Sequence, residues 1–215
     1  MYKAALFDLD GTLTDSMNLS AQAFICTLRQ HLQQEFTPEG IFAMFGPAEE
    51  EIFQHLDPEQ APDMMQTFLE FYRSRHQEYA QVYPGVIPML TRLKEKMPLA
   101  VITGKGEKPA LITIGELGLD GYFQHIITGS CVKRHKPDPE GILKVLDSLA
   151  VKPEQAFYLG DSPGDIETAR GAGVTALAAL WGASNQERLL KQKPDWSFAN
   201  PEEFLAWIEN MCPLP

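Results

Sequence analysis

The chain has 215 residues, of which 44% are hydrophobic and 22% charged, the composition of a folded globular protein rather than a disordered one. Its formal net charge of -11 repels polyanions and speaks against nucleic acid or an anionic membrane face as a partner. A small phosphorylated substrate stays open, because a bound cation can reverse the charge of a local site.

The first segment, Lys3 to Phe7, is a short apolar run ending in Asp8-Leu9-Asp10-Gly11, which predicts a buried strand entering a tight turn. From Ser16 to Tyr79 the pattern is helical only, broken near Thr37-Pro38, Gly46-Pro47 and Asp57-Pro58, with Phe24, Phe42, Phe53, Phe68 and Phe71 expected in the bundle core. Val82-Tyr83-Pro84-Gly85 returns the chain to alternating elements. A helix is predicted over Val86 to Met97 with Ile87, Leu90 and Leu93 on one face, then a strand from Leu99 to Ile102 running into Thr103-Gly104. Gln124 to Thr128 reads as a strand, and Glu140 to Leu149 as a helix with Ile142, Leu143, Val145, Leu146 and Leu149 inward. A strand from Ala156 to Leu159 leads into Gly160-Asp161-Ser162, a helix over Ile166 to Ala172 is opened by Pro163 and Asp165, and Val174 to Ala179 is a last strand. This alternation predicts an α/β fold: a Rossmann-like, mostly parallel sheet with helices on both faces, from residues 1–15 and 81–215. Residues 16–80 are expected to form an inserted all-helical cap domain. Ligands of such sheets sit at the carboxyl ends of the strands.

Four polar stations fall at or near those ends. Asp8-Leu9-Asp10-Gly11-Thr12 by itself is an Asp-Gly turn. Thr103 is a loop hydroxyl, and Lys136 in His135-Lys136-Pro137-Asp138-Pro139 is a solvated charge before a helix. Gly160-Asp161-Ser162-Pro163-Gly164-Asp165 is an N-cap followed by a proline and a first-turn acid. Taken together in the order Asp-x-Asp, Thr, Lys, Gly-Asp-x-x-x-Asp, they resemble the signature of the haloacid dehalogenase superfamily. The stretch from Lys136 to Trp181, followed by Pro194-Asp195-Trp196, is most similar to its phosphoglycolate phosphatase-like branch.

The resemblance implies a phosphatase in which Asp8 attacks phosphorus and becomes a phosphoaspartate, and Asp10 protonates the leaving oxygen and later activates water. Thr103, Gly104 and Lys136 would bind the phosphoryl group, with Thr103 and Lys136 also counted among the catalytic residues. Mg²⁺ would be held by Asp8, the carbonyl of Asp10 and Asp161, with Asp165 orienting that shell. An intact Asp10 favours phosphate esters or anhydrides over carbon–halogen bonds. A small phosphorylated metabolite of the phosphoglycolate type is the expected substrate. A phosphotransferase or phosphomutase, an inorganic pyrophosphatase and a non-catalytic binding protein are the alternatives. The second station departs from the branch, reading Thr103-Gly104-Lys105 where asparagine often stands between threonine and lysine. The loop Gly46-Pro47-Ala48-Glu49 lacks the arginine that mutases carry. Glu49 and Glu50 are expected either on a solvated helix start or disfavouring a second anionic group. Arg73, Arg75 and His76 face either the cleft or solvent, with solvent the default, and Arg134 and His135 either touch substrate or are exposed loop charge.

Cys26, Cys131 and Cys212 have neither metal-ligand nor redox spacing, and no histidine pair suits zinc. No apolar run approaches membrane-spanning length, and the acidic N-terminus has no signal-peptide core. The expectation is a cytoplasmic protein with reduced thiols, a monomer or homodimer without a nucleic-acid or membrane partner.

Overall fold

The computed structural model describes residues 1–211; Cys212 lies outside them. The chain starts with strand β1 (Ala4–Phe7) and a two-residue strand β2 (Thr14–Asp15). Five helices follow: α1 (Met17–Leu32), α2 (Pro38–Phe42), α3 (Glu49–Leu56), α4 (Ala61–Ser74) and α5 (His76–Tyr79). Strand β3 (Gln81–Val82) then pairs antiparallel with β2, so the two connections of the helical segment are tied side by side. Beyond it run α6 (Val86–Lys94), β4 (Leu99–Ile102), α7 (Glu107–Glu116), β5 (His125–Ile127), α8 (Glu140–Leu149) and β6 (Ala156–Gly160). The chain continues through α9 (Pro163–Ala172), β7 (Thr175–Ala179), α10 (Gln186–Lys191), β8 (Trp196–Phe198) and α11 (Pro201–Met211).

The main sheet has six strands in the order β5-β4-β1-β6-β7-β8, every pair parallel. Side chains alternate across a strand with period two, and β1 shows why two layers of helices are needed. Ala5 and Phe7 join one apolar core with Val86, Leu90, Ile114 and Phe204, from α6, α7 and α11. Ala4 and Leu6 join the other with Ile142, Val145, Ile166 and Leu189, from α8, α9 and α10. A strand buried on both faces must be apolar at every position, and all four residues of β1 are buried. The chain leaves β1 for β4 and β5 on one side and returns to β6 on the other. That makes the carboxyl end of β1 the point where strand order reverses, and such crevices bind ligands.

The helices α1–α5 enclose a third core around Phe24, Phe53, Phe68 and Tyr72. They also reach the sheet layer: the Tyr72 and Thr113 hydroxyls share a hydrogen bond of 2.7 Å, and Ile112 of α7 packs against the third core.

Some faces differ from the predicted ones. Phe42 is 40% exposed, Ile87 37% and Leu143 43%. In α6 the buried positions are Val86, Met89, Leu90 and Leu93, and in α8 Gly141, Ile142, Val145 and Leu146. Ile87 and Leu143 each lie just outside those stripes, on the solvent flank of the helix. Phe42 ends the short helix α2, where its ring meets Phe45 edge-on at 5.6 Å instead of entering the core.

Candidate active site

Asp8 follows β1 directly, and its backbone N–H donates to the Leu159 carbonyl of β6. Two residues on, Asp10 is oriented by the Ser16 hydroxyl, which donates to its carboxylate. The turn that follows Asp10 requires Gly11, whose φ of +83° lies in the left-handed region. A β-carbon there would overlap the carboxylate of Asp161, which also accepts 3.0 Å from the Thr12 hydroxyl. Gly11→Ala therefore meets backbone strain and displaces Asp161 together. We expect kcat to fall about 10²-fold, the scale for a displacement of roughly 1 Å at a reacting centre, with the unfolding midpoint lowered. Steady-state kinetics and thermal melts check both.

Asp161 follows β6 and leads into α9 through a capping box. The Ser162 hydroxyl donates 2.6 Å to Asp165 Oδ2, and the Ser162 N–H donates 3.0 Å to the same oxygen. Ser162 Oγ accepts from the Asp165 N–H in return. The structural reading of this motif and its placement at the site thus hold together. Asp165 is fully buried, and its other oxygen receives Lys136 Nζ at 2.7 Å and the Tyr158 hydroxyl at 3.1 Å.

Lys136 comes from the loop between β5 and α8. That loop is gathered by Glu140, whose carboxylate accepts from the backbone N–H groups of Lys133 and Arg134. The ammonium lies 2.9 Å from Asp8 Oδ1 as well as 2.7 Å from Asp165. Thr103 follows β4; its N–H donates to Ile127 of β5, and its hydroxyl accepts from the Lys105 N–H at 3.2 Å.

Burial pushes Asp8 up to about 7, with Lys136 pulling it down and Asp165 raising it further. Asp161 is raised well above the ordinary carboxylate range by burial and by the charges of Asp165 and Asp8. Burial would raise Asp165 too, but Lys136 and Ser162 overcome it and hold that carboxyl low. Burial alone would depress Lys136; Asp165 and Asp8 reverse that and raise it well above the ordinary lysine value. The protein itself supplies one cation to three crowded carboxylates. Oxygens of Asp8, Asp161 and Asp165 lie within 4.8 Å of one another, an all-oxygen donor set that suits a hard divalent cation.

Asp8, Asp10, Thr103, Gly104, Lys136 and Asp161 line a single cavity of about 350 Å³. Asp165 stands behind them. The opposite wall comes from the helical segment, with Met17, Phe24, Phe45, Pro47 and Ile52. Glu49 closes that wall, and contrary to a solvated helix start it is only 5% exposed. Its carboxylate accepts 2.6 Å from the Gly106 N–H and lies 3.9 Å from Lys105 Nζ. Glu51, on the same helix, meets His135 Nε2 at 3.0 Å, so His135 bridges the two layers while Arg134 stays exposed beside Asp138. Arg73 and Arg75 face solvent. His76 does not: it is fully buried, with Nε2 3.3 Å from the Thr113 hydroxyl.

Lys105 closes the second station, Thr103-Gly104-Lys105, and was assigned no role there, yet it is central. Its ammonium donates 2.8 Å to the Ser20 hydroxyl, lies 3.3 Å from Asp10 Oδ1 and sits 5.0 Å above the Tyr72 ring. Burial alone would depress it; Asp10, Tyr72 and Glu49 raise it instead. The available signal was its place two residues after Thr103 at a strand end. Free Cys26 is half-buried and Cys131 exposed, and neither reaches the cavity. Among the described residues no helix is long and apolar enough to cross a membrane.

Comparison with known proteins follows the same lines. Residues 5–179 match the family model described as haloacid dehalogenase-like hydrolase. The chain is 31% identical to a pyrophosphatase PpaX of Anoxybacillus flavithermus, covering 94% of each chain. It is also 31% identical to a phosphoglycolate phosphatase of Aquifex aeolicus, covering 97% of each. A solved structure from Streptococcus pneumoniae, the haloacid dehalogenase-like family protein SP0104, superposes with a TM-score of 0.78 at 30% identity, covering 96% of this chain and 98% of that one.

Proposed function

The chain belongs to the haloacid dehalogenase-like hydrolases, and from that premise we propose that it hydrolyses the phosphomonoester of a small metabolite, with magnesium, through a phosphoaspartate on Asp8. The reading rests on one observation: Asp8, Asp10, Thr103, Lys136 and Asp161, far apart in sequence, line one cavity at the carboxyl ends of neighbouring parallel strands.

An Asp8 carboxylate oxygen forms the bond to phosphorus while the ester oxygen leaves with a proton from Asp10. In the second half, Asp10 takes a proton from a water whose oxygen bonds to phosphorus, and the Asp8–phosphorus bond breaks to release phosphate. The Ser16 hydroxyl and the Lys105 ammonium fix the Asp10 carboxyl for both transfers. Lys136 balances Asp8 and the transferring group as a compact charge, and Asp165 holds Lys136 in place. The Thr103 hydroxyl and the Gly104 N–H would receive the phosphoryl oxygens. Asp8, Asp161 and the Asp10 carbonyl would hold Mg²⁺, with Asp165 behind them, and the ion would neutralise phosphoryl oxygens as charge builds on them. The helices within residues 16–80 act as a cap that excludes water from this chemistry.

Treating the protein with a chelator should abolish phosphate release from a panel of small phosphate esters, and added Mg²⁺ should restore it. Release that persists in chelator at the magnesium rate would contradict the metal assignment, and no release from any ester would favour the binding-protein alternative. A mutase needs a cap cation for a second phosphate. Here loop 46–49 offers Ala48 and Glu49, which favours hydrolysis.

A further inference from the structure

We infer that Glu49 sets substrate choice: the site takes monophosphates of uncharged, partly apolar alcohols and discriminates against substrates with a second anionic group. The inference rests on the phosphatase reading above and deepens it.

A second anion, whether a carboxylate or another phosphate, needs a cation or free N–H donors at the leaving-group end of the cavity. Both cations that line the cavity are already engaged. Lys136 is held between Asp8 at 2.9 Å and Asp165 at 2.7 Å, on the phosphoryl side. Lys105 is the only cation near the cap wall among the described residues that line the cavity. An ammonium has three N–H donors. Those of Lys105 are drawn by Ser20 at 2.8 Å, Asp10 at 3.3 Å and the Tyr72 side chain, with the Glu49 carboxylate at 3.9 Å adding a second opposing charge. The N–H of Gly106, a free donor in the absence of Glu49, donates to it at 2.6 Å.

The charge on Lys105 is therefore satisfied from both sides, by the catalytic layer through Asp10 and by the cap through Glu49. An arriving carboxylate or phosphate would meet Glu49 head-on, with both ammonium groups that line the cavity already facing carboxylates. The rest of the cap wall gives an uncharged alcohol something to pack against: Met17, Phe24, Phe45, Pro47 and Ile52. Burying apolar leaving-group surface there is favourable, whereas a buried, unpaired anion is not. Substrates matching the names of two relatives, pyrophosphate and phosphoglycolate, both carry the disfavoured second anion.

The test uses a matched pair, phosphoglycolate and its neutral amide isostere 2-phosphoglycolamide, with pyrophosphate as a third substrate and Mg²⁺ throughout. The wild-type protein should hydrolyse the amide with kcat/KM at least about tenfold above phosphoglycolate, within the range a single misplaced group gives. Glu49→Gln keeps an oxygen to accept from Gly106 while removing one of the two carboxylate charges that oppose Lys105. It should bring the ratio toward unity, mainly by lowering the KM for phosphoglycolate. Equal or greater wild-type efficiency on phosphoglycolate or pyrophosphate would overturn the inference alone, and needs no variant. An unchanged ratio in a folded Glu49→Gln protein would also overturn it. No phosphate release from any ester of the wider panel would instead overturn the phosphatase reading on which it rests.

Discussion

Asp8→Asn should lower magnesium-dependent phosphate release by about 10⁴-fold or more, the scale seen when a covalent nucleophile is removed. The substitution keeps the shape of the side chain but replaces the attacking oxygen with an amide, while Asp10, Thr103, Lys136 and Asp161 keep their supports. The fold should survive, and the pH dependence of stability shows why. Burial raises Asp8 to about 7 from an ordinary value of 3.8. A carboxyl with a raised folded-state value holds its proton more tightly when folded, so it disfavours folding increasingly as pH climbs from about 4 through about 7. Without metal, the wild-type protein should lose thermal stability across that window, and the asparagine variant should lose less. Matched melts with and without Mg²⁺ would check this. An activity loss of only a few-fold would remove Asp8 from the nucleophile's role.

The second large effect is expected at Lys136. Its ammonium is the cation shared by Asp8 and Asp165, and it also lies 3.2 Å from the Tyr158 hydroxyl. Lys136→Met keeps much of the stem but leaves buried carboxylates without their partner. Breaking such a pair costs about 3 kcal/mol, read as a lower denaturant midpoint in metal-free protein. Added Mg²⁺ should recover part of that loss by supplying another cation to the same carboxylates. Turnover should not recover with it. A charged group aimed at the reacting phosphate is worth on the order of 10²- to 10³-fold in kcat, and the metal cannot replace it at that position. If the variant matches wild-type kcat once Mg²⁺ is present, Lys136 is structural only.

The sequence made the sheet legible because its strands are buried on both faces. Runs such as Ala156 to Leu159 are apolar without interruption and end in glycine or aspartate, a pattern that surface strands do not give. The two-residue pairing of β2 with β3 could not be read, since Thr14-Asp15 and Gln81-Val82 carry no periodicity. Helix faces were read one position too widely at Ile87 and Leu143, because an apolar residue beside a stripe looks like part of it.

Asp8, Asp10, Thr103, Lys136 and Asp161 were legible only as an ordered set, each having an ordinary explanation alone. Lys105 and Glu49 were harder for a different reason. Lys105 meets Ser20 across 85 positions of sequence, and Glu49 meets Gly106 across 57. Nothing local separates a glutamate at a helix start that faces water from one pressed against another layer. Three consecutive glutamates, Glu49-Glu50-Glu51, look solvated, yet the first is buried and the third reaches His135. Phe24, expected in the helical core, lies there and lines the cavity as well, a double role that its spacing does not reveal.

The central claim is that phosphorus passes through Asp8. The most direct test is an acid quench within one turnover of a radiolabelled aryl phosphate, whose leaving group departs without a proton, using Asp10→Asn to slow the second half, followed by peptide mapping. A hydroxylamine-labile phosphoryl label on the peptide containing Asp8, absent from Asp8→Asn, is the predicted result. Full turnover with no label on the protein, and inversion of configuration at a chiral phosphorus, would mean that water attacks directly and would contradict the claim.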